Sequence, residues 1–226
     1  MRTVPHFVVV CAALGLASVV SACAGPDAAA GAAPRAEYDE ATGRLRRVTF
    51  DADRNGRRDA VGVMDGARVD HIQLDTDENG STDYWEYYAD RRLVKVGLSR
   101  QNDGIIDAFQ FYEKTGGAQD GGAKDVITRI EVSTRRDGHF DRIEFYTDGI
   151  LSRVEEDADG DGRVDKWEHY RPVANHVAGD PPSSVMSVAF DDAHRGRPTR
   201  RLVFAGDGSV ERVEADPNGD GTFVLE

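Results

Sequence analysis

The chain has 226 residues, of which 28 Lys and Arg face 41 Asp and Glu, for a formal net charge of −13. Such a balance argues against a nucleic-acid partner, whose phosphates require a basic face, and favours cations or simple solubility. The two cysteines, Cys11 and Cys23, both fall in the first 23 residues, so a body that begins after them holds no disulfide and depends on packing, hydrogen bonds or bound ions.

The N-terminus opens with one cation, Arg2, then an apolar run from Phe7 to Val20 and small residues before Cys23. A comfortable membrane span needs ~20 apolar residues, so this run fits a secretory h-region instead. Val20-Ser21-Ala22-Cys23 resembles a bacterial lipoprotein signal, which implies that residues 1–22 are removed and that Cys23 is lipidated as the first mature residue. The alternative is an ordinary cleaved signal with an incidental cysteine. By the lipoprotein resemblance, multiple acylation of Cys23 would anchor the protein to a membrane. Ala24, where an aspartate often retains such proteins at the inner membrane, favours the outer membrane or cell surface. Residues 23–36, rich in Ala, Gly and Pro without periodicity, read as a tether. Residues 37–226 suffice for one domain with a core.

A repeat organises that domain. Gly56, Gly80, Gly104, Gly138, Gly162, Gly196 and Gly221 sit at the same point of seven acidic loops, at spacings of 24, 24, 34, 24, 34 and 25. The two long spacings contain ten-residue insertions, near 114–124 and at 171–184, so the underlying period is about 24. Three residues before the first position of each loop stands an aliphatic: Val48, Ile72, Val96, Ile130, Val154, Val188 and Val213. After the loop come pairs two residues apart, such as Val61 and Val63, Trp85 and Tyr87, Phe109 and Phe111, Ile143 and Phe145. Period two in β-branched and aromatic residues predicts a strand on each side of the loop, with one face buried. Met64, Tyr88, Tyr112, Tyr146, Tyr170 and Phe204 close the outgoing strands, and Asp-Gly turns such as Asp148-Gly149 join them to the next. The expected fold is all-β: an antiparallel meander of about seven β-hairpins in a twisted or rolled sheet, open or closed.

The loops carry the chemistry. In 157–168, Asp157, Asp159 and Asp161 alternate, Gly162 is sixth, Asp165 ninth and Glu168 twelfth, the spacing of an EF-hand calcium loop. A helix–loop–helix unit needs about 36 residues, from three helical turns on each side of a 12-residue loop, and does not fit a period of 24. The loop chemistry therefore sits in a hairpin. Loop 5 supplies Asp157, Asp159, Asp161, Asp165 and Glu168 with a backbone carbonyl near Arg163. Loop 2 supplies Asp75, Asp77, Asn79, Asp83 and Glu86, with Ser81 at the carbonyl position. Loop 1 supplies Asp51, Asp53, Asn55 and Asp59, with Gly62 at the twelfth position and Arg54, Arg57 and Arg58 crowding it. Loop 7 keeps Asp216, Asn218 and Asp220. Clustering this many carboxylates is costly unless a cation neutralises them, so Ca²⁺ is expected at two to four loops. Against that, Asp, Asn and Gly are what any turn uses. Loops 3, 4 and 6, with Ser99, Ser133 and Asp191 at the first position, keep the glycine turn without the ligand set and should stand without metal. Glu86 and Glu168 alternate with Trp85 and Trp167 and could equally point away from the ion.

The aspartate-rich hairpin loop resembles, in rhythm, the calcium loops of FG-GAP propeller blades, and the Asp-Gly and Trp-Glu-x-Tyr pattern resembles MORN-like and YD-type hairpin repeats. His71, His139, His169, His176 and His194 are scattered, with no metalloprotease or serine-hydrolase motif. Loop carboxylates facing water lack the apolar pocket that raises the pKa of a general acid. The sequence thus points to a membrane-anchored, calcium-binding structural or binding-platform module without catalysis, with a protein or glycan as possible partner. A calcium-dependent envelope hydrolase and a metal-free scaffold are the alternatives.

Overall fold

The computed structural model describes residues 32–115, 124–174 and 181–226. The expected signal segment, Cys23, His176 and parts of both insertions lie outside the described residues. Among the described residues there are fifteen strands and no helix. They are β1 (Arg35–Tyr38), β2 (Leu45–Phe50), β3 (Ala60–Asp65), β4 (Arg68–Leu74), β5 (Tyr84–Ala89), β6 (Arg92–Leu98), β7 (Ala108–Thr115) and β8 (Lys124–Val132), then β9 (Arg142–Thr147), β10 (Ile150–Glu156), β11 (Lys166–Pro172), β12 (Ser183–Phe190), β13 (Arg200–Phe204), β14 (Val210–Ala215) and β15 (Val224–Leu225). All fifteen form one sheet in strict chain order, every neighbour antiparallel. β1 and β15 are its two edges, so the meander is open and does not close into a barrel.

The hairpin repeat is confirmed strand by strand. Loop 5 is flanked by β10 and β11, which excludes helical arms. β1 extends the pattern by a strand beyond the seven units and takes in Arg35 and Ala36, which the sequence assigns to the tether. At the narrow ends, Asp148 and Gly149 both have positive φ (52° and 76°), the two-residue turn expected of Asp-Gly. The same geometry recurs at Asp90 and Arg91 (50° and 64°) without a glycine. Every narrow end carries a one-residue register shift beside the closing residue, as at Val63/Met64, Tyr87/Tyr88 and Phe111/Tyr112. A bulge in each repeat increases the local twist.

The expectation of one buried face needs correction. Contacts between elements run almost entirely between sequence-adjacent strands, so no second layer covers either face among the described residues. Each face is closed by its own long side chains. The first face holds the aliphatic column, and the cross-strand register interleaves it with polar residues: Ile72, Glu86, Val96, Gln110, Ile130, Glu144, Val154 and Glu168 lie in one row. Tyr88, Tyr112, Tyr146 and Tyr170 each hydrogen-bond the Glu or Gln two residues earlier, at 2.6–2.9 Å. These side chains shield the aliphatics so well that Val96 and Val154 are 0% exposed.

The second face carries a row absent from the sequence reading. Arg47, Val63, His71, Tyr87, Lys95, Phe111, Arg129, Phe145, Arg153, His169, Ser187, Val203 and Arg212 are successive cross-strand partners. From Arg47 to Arg153, Arg, Lys or His side chains alternate with aromatic or aliphatic ones, and Ser187 interrupts the pattern on β12. Lys95 Nζ lies 4.4 Å from the centre of Tyr87, and the Arg129 and Arg153 guanidinium carbons each lie 4.2 Å from Phe111 and Phe145. Cation–π contact here does the work that a packed layer does elsewhere.

Candidate metal loops

Because loops join every second pair of strands, all seven emerge at one end of the sheet. Each is knitted by side-chain bonds to its own backbone. The first-position aspartate accepts the N–H of the sixth-position glycine in loops 1, 2 and 5 (Asp51–Gly56 2.8 Å, Asp75–Gly80 2.8 Å, Asp157–Gly162 2.9 Å), and in loops 6 and 7. The fifth-position side chain accepts from the seventh N–H: Asn55 from Arg57, Asn79 from Ser81, Asp161 from Arg163, each at 2.8 Å. The ninth-position aspartate reaches back to the second N–H: Asp59 to Ala52 (2.7 Å), Asp83 to Thr76 (2.9 Å), Asp165 to Ala158 (2.9 Å). The glycine is required because its φ is positive, +87° at Gly162, where a Cβ would strain the backbone.

This folding brings the predicted oxygens together. Asp51, Asp53 and Asp59 converge in loop 1, Asp75, Asp77 and Asp83 in loop 2, and Asp157, Asp159 and Asp165 in loop 5, each trio offering ligand atoms within 4.8 Å of one another. Asn55 and Asn79 lie against these trios, their amides donating to Asp53 (3.0 Å) and Asp77 (3.2 Å). Asp161 groups instead with Asp159 and with His194 of loop 6, whose Nδ1 is 3.2 Å from Asp159. The loop 7 residues form no such group among the described residues.

The twelfth-position glutamates do not join the clusters. Glu86 is 6% exposed and accepts from the Tyr88 hydroxyl on the first face. Glu168 is held by Lys166 (2.7 Å) and Tyr170 (2.6 Å). Burial pushes the Glu168 carboxyl up, but those bonds and Arg142 outweigh it, and the net shift is down. The physical reason is the pleat: three residues into a strand, the backbone aims these side chains onto the sheet and not back along the loop.

Loops 3 and 4 are occupied by protein cations. Asp107, the ninth residue of loop 3, is 0% exposed and bonded by Arg100 (2.8 Å) and Arg136 (2.9 Å). Arg136, from loop 4, also grips Asp103 at 2.7 Å and holds its carboxyl down at about 2. In loop 4 itself, Arg135 lies 3.2 Å from the ninth-position Asp141. By contrast Asp59, Asp83 and Asp165 pair with no Lys, Arg or His among the described residues. Burial raises the Asp83 carboxyl, opposed by the Thr76 hydroxyl and N–H. Asp165 Oδ1 is buried and accepts no hydrogen bond.

Adjacent loops also stack on one another. Asn102 of loop 3 donates to Asp77 at 2.7 Å, a bond that lowers the Asp77 carboxyl. Glu78 of loop 2 bonds Arg57 and Asn55 of loop 1, and Arg135 reaches the Asp157 and Ala158 carbonyls of loop 5 at 3.4 Å.

No protein-family model matches the chain, and no curated protein is similar to it.

Proposed function

We propose that the protein is an extracytoplasmic, membrane-anchored binding platform whose sheet is stiffened at one end by calcium, and that it performs no catalysis. Loops 1, 2 and 5 are the binding loops, with Asp51, Asp53, Asn55 and Asp59, then Asp75, Asp77, Asn79 and Asp83, then Asp157, Asp159, Asp161 and Asp165 as side-chain ligands. The contrast at the ninth position carries this reading: a guanidinium sits on the aspartate in loops 3 and 4, and among the described residues no cation does in loops 1, 2 and 5. Where one repeat supplies a positive charge from the chain, its neighbours leave the same carboxylate for a cation from solution. All-oxygen ligands and a flexible loop suit Ca²⁺ over transition metals. The lipid on Cys23 would hold the platform in the cell envelope, with the outer membrane preferred.

Calorimetric titration of the protein with calcium tests the proposal. Saturable binding that loses one site on Asp165→Asn, keeps those of loops 1 and 2, and survives excess magnesium is the expected result. Absence of any calcium heat leaves the second reading, a metal-free scaffold, which is favoured by the carboxylate bonds to backbone N–H groups. Calcium-dependent turnover of an envelope polymer would instead favour a hydrolase.

A further inference from the structure

The second face of the sheet offers something the loops do not: a row of Arg and Lys side chains on an acidic protein. Arg47, Lys95, Arg129, Arg153 and Arg212 stand in one cross-strand row on β2, β6, β8, β10 and β14, with His71 and Ser187 at the same position on β4 and β12. With strands ~4.8 Å apart, Lys95, Arg129 and Arg153 stand about 10 Å from one another in succession, Arg47 and Arg212 lie about 20 Å beyond either end, and the row extends for roughly 60 Å. Arg129 and Arg153 are 41% exposed, and Arg212 is 37% exposed. Arg129 and Arg153 share their charge with Glu131 and Glu155, each 3.1 Å away, Arg212 is bonded by Glu211 (3.1 Å) and Glu214 (2.7 Å), and His71 bonds Asp70 (2.7 Å), whereas Arg47 and Lys95 pair with no carboxylate among the described residues. The rings beneath Lys95, Arg129 and Arg153 hold those heads in place, so little side-chain freedom remains to be lost when an anion binds.

We infer that this row binds a linear acidic polysaccharide lying across the strands, its carboxylates meeting successive cations. The inference deepens the binding-platform reading and rests on it, while being independent of calcium. Charge spacing selects the ligand. One phosphate per ~3.4 Å of a nucleic-acid strand is far denser than one cation per ~10 Å, and the glutamates beside the row would repel the excess. A polysaccharide with a carboxylate on every second sugar presents charges at the wider pitch, and guanidinium and ammonium groups are suited to carboxylates. A straight, shallow row fits an extended chain better than a compact domain.

The test is calorimetric titration of the full chain with hyaluronan oligosaccharides, which alternate a uronate with a neutral sugar, against neutral dextran and oligothymidylate. Binding to hyaluronan should weaken with salt and fall at least tenfold in Lys95→Gln/Arg129→Gln, with the far-ultraviolet dichroism unchanged. Should that variant unfold, Arg47→Gln/Arg153→Gln tests the same row at other positions. Hyaluronan binding no better than dextran, binding untouched in a folded variant, or equal binding of oligothymidylate overturns the inference. Each titration is repeated with calcium and with chelator. Equal affinity in both supports a calcium-independent row even if the melting temperature ignores calcium, and affinity lost with chelator overturns that independence.

Discussion

Asp165 offers the sharpest separation of a metal ligand from a turn residue. Its Oδ2 accepts the N–H groups of Ala158 (2.9 Å) and Asp159 (3.3 Å), while its Oδ1 is buried without a partner. Asp165→Asn keeps the shape and the acceptor but removes the charge that a cation needs. Without metal, the change should cost no more than about 0.5 kcal/mol, typical of a substitution that breaks no contact. With calcium at a hundred times its dissociation constant, an occupied site adds ~2.7 kcal/mol. A domain of this size gains ~2–4 °C per kcal/mol, so loop 5 should raise the melting temperature by ~5–11 °C. Scanning calorimetry of wild type and variant, each in chelator and in millimolar calcium, measures the difference. The two proteins should coincide in chelator to within ~2 °C and separate by ~5–11 °C in calcium, the variant keeping the rise due to loops 1 and 2. Equal separation in both buffers would show that Asp165 only closes a turn, and a wild type indifferent to calcium would refute the loop assignment altogether.

Three other outcomes follow from the same geometry. The Arg136 guanidinium depresses the Asp103 carboxyl from 3.8 to about 2, so its stabilisation is complete above 3.8 and is lost as pH falls to about 2. The melting-temperature gap between wild type and Arg136→Gln should therefore narrow across that window, and a constant gap would contradict the ion pair. Val96 is 0% exposed although no layer covers it, and Val96→Ala should cost about 2 kcal/mol in urea unfolding, from two lost methyl groups and the cavity they leave; a cost near zero would mean that the tyrosine shield collapses onto the gap. Gly162 has φ +87° with open space around its Cβ position, so Gly162→Ala should cost about 1–2 kcal/mol by backbone strain alone, measured in the same way.

Much of this architecture is legible in one dimension because the repeat is local. A period of 24 with two-residue alternation leaves no room for helices, and each strand pairs with its chain neighbour, so the strand order follows from the connections. β1 escaped the period because its turn, closed by Asp39 and Arg44, is longer than the two-residue turns at Asp90-Arg91 and Asp148-Gly149. Tyr38, opposite Leu45 beside a register shift, is nonetheless the same closing aromatic as Tyr88 and Tyr112. The row could also have been found in the sequence: Arg47, His71, Lys95, Arg129, Arg153 and Arg212 all stand four residues before the first position of a loop.

The sequence by itself determined the hairpins, the loop glycines and the carboxylates of loops 1, 2 and 5, because turn chemistry and period two act over a few residues. Only the tertiary structure decided the rest. Register put Glu86 and Glu168 under tyrosine hydroxyls instead of beside the ion site, since a side chain's direction depends on where the pleat begins. Loop stacking brought Arg136 to Asp103, 33 residues away in sequence, and His194 to Asp159. The openness of the sheet also emerged only in three dimensions: alternation tells which residues share a face, but whether anything packs on that face depends on the path of the whole chain.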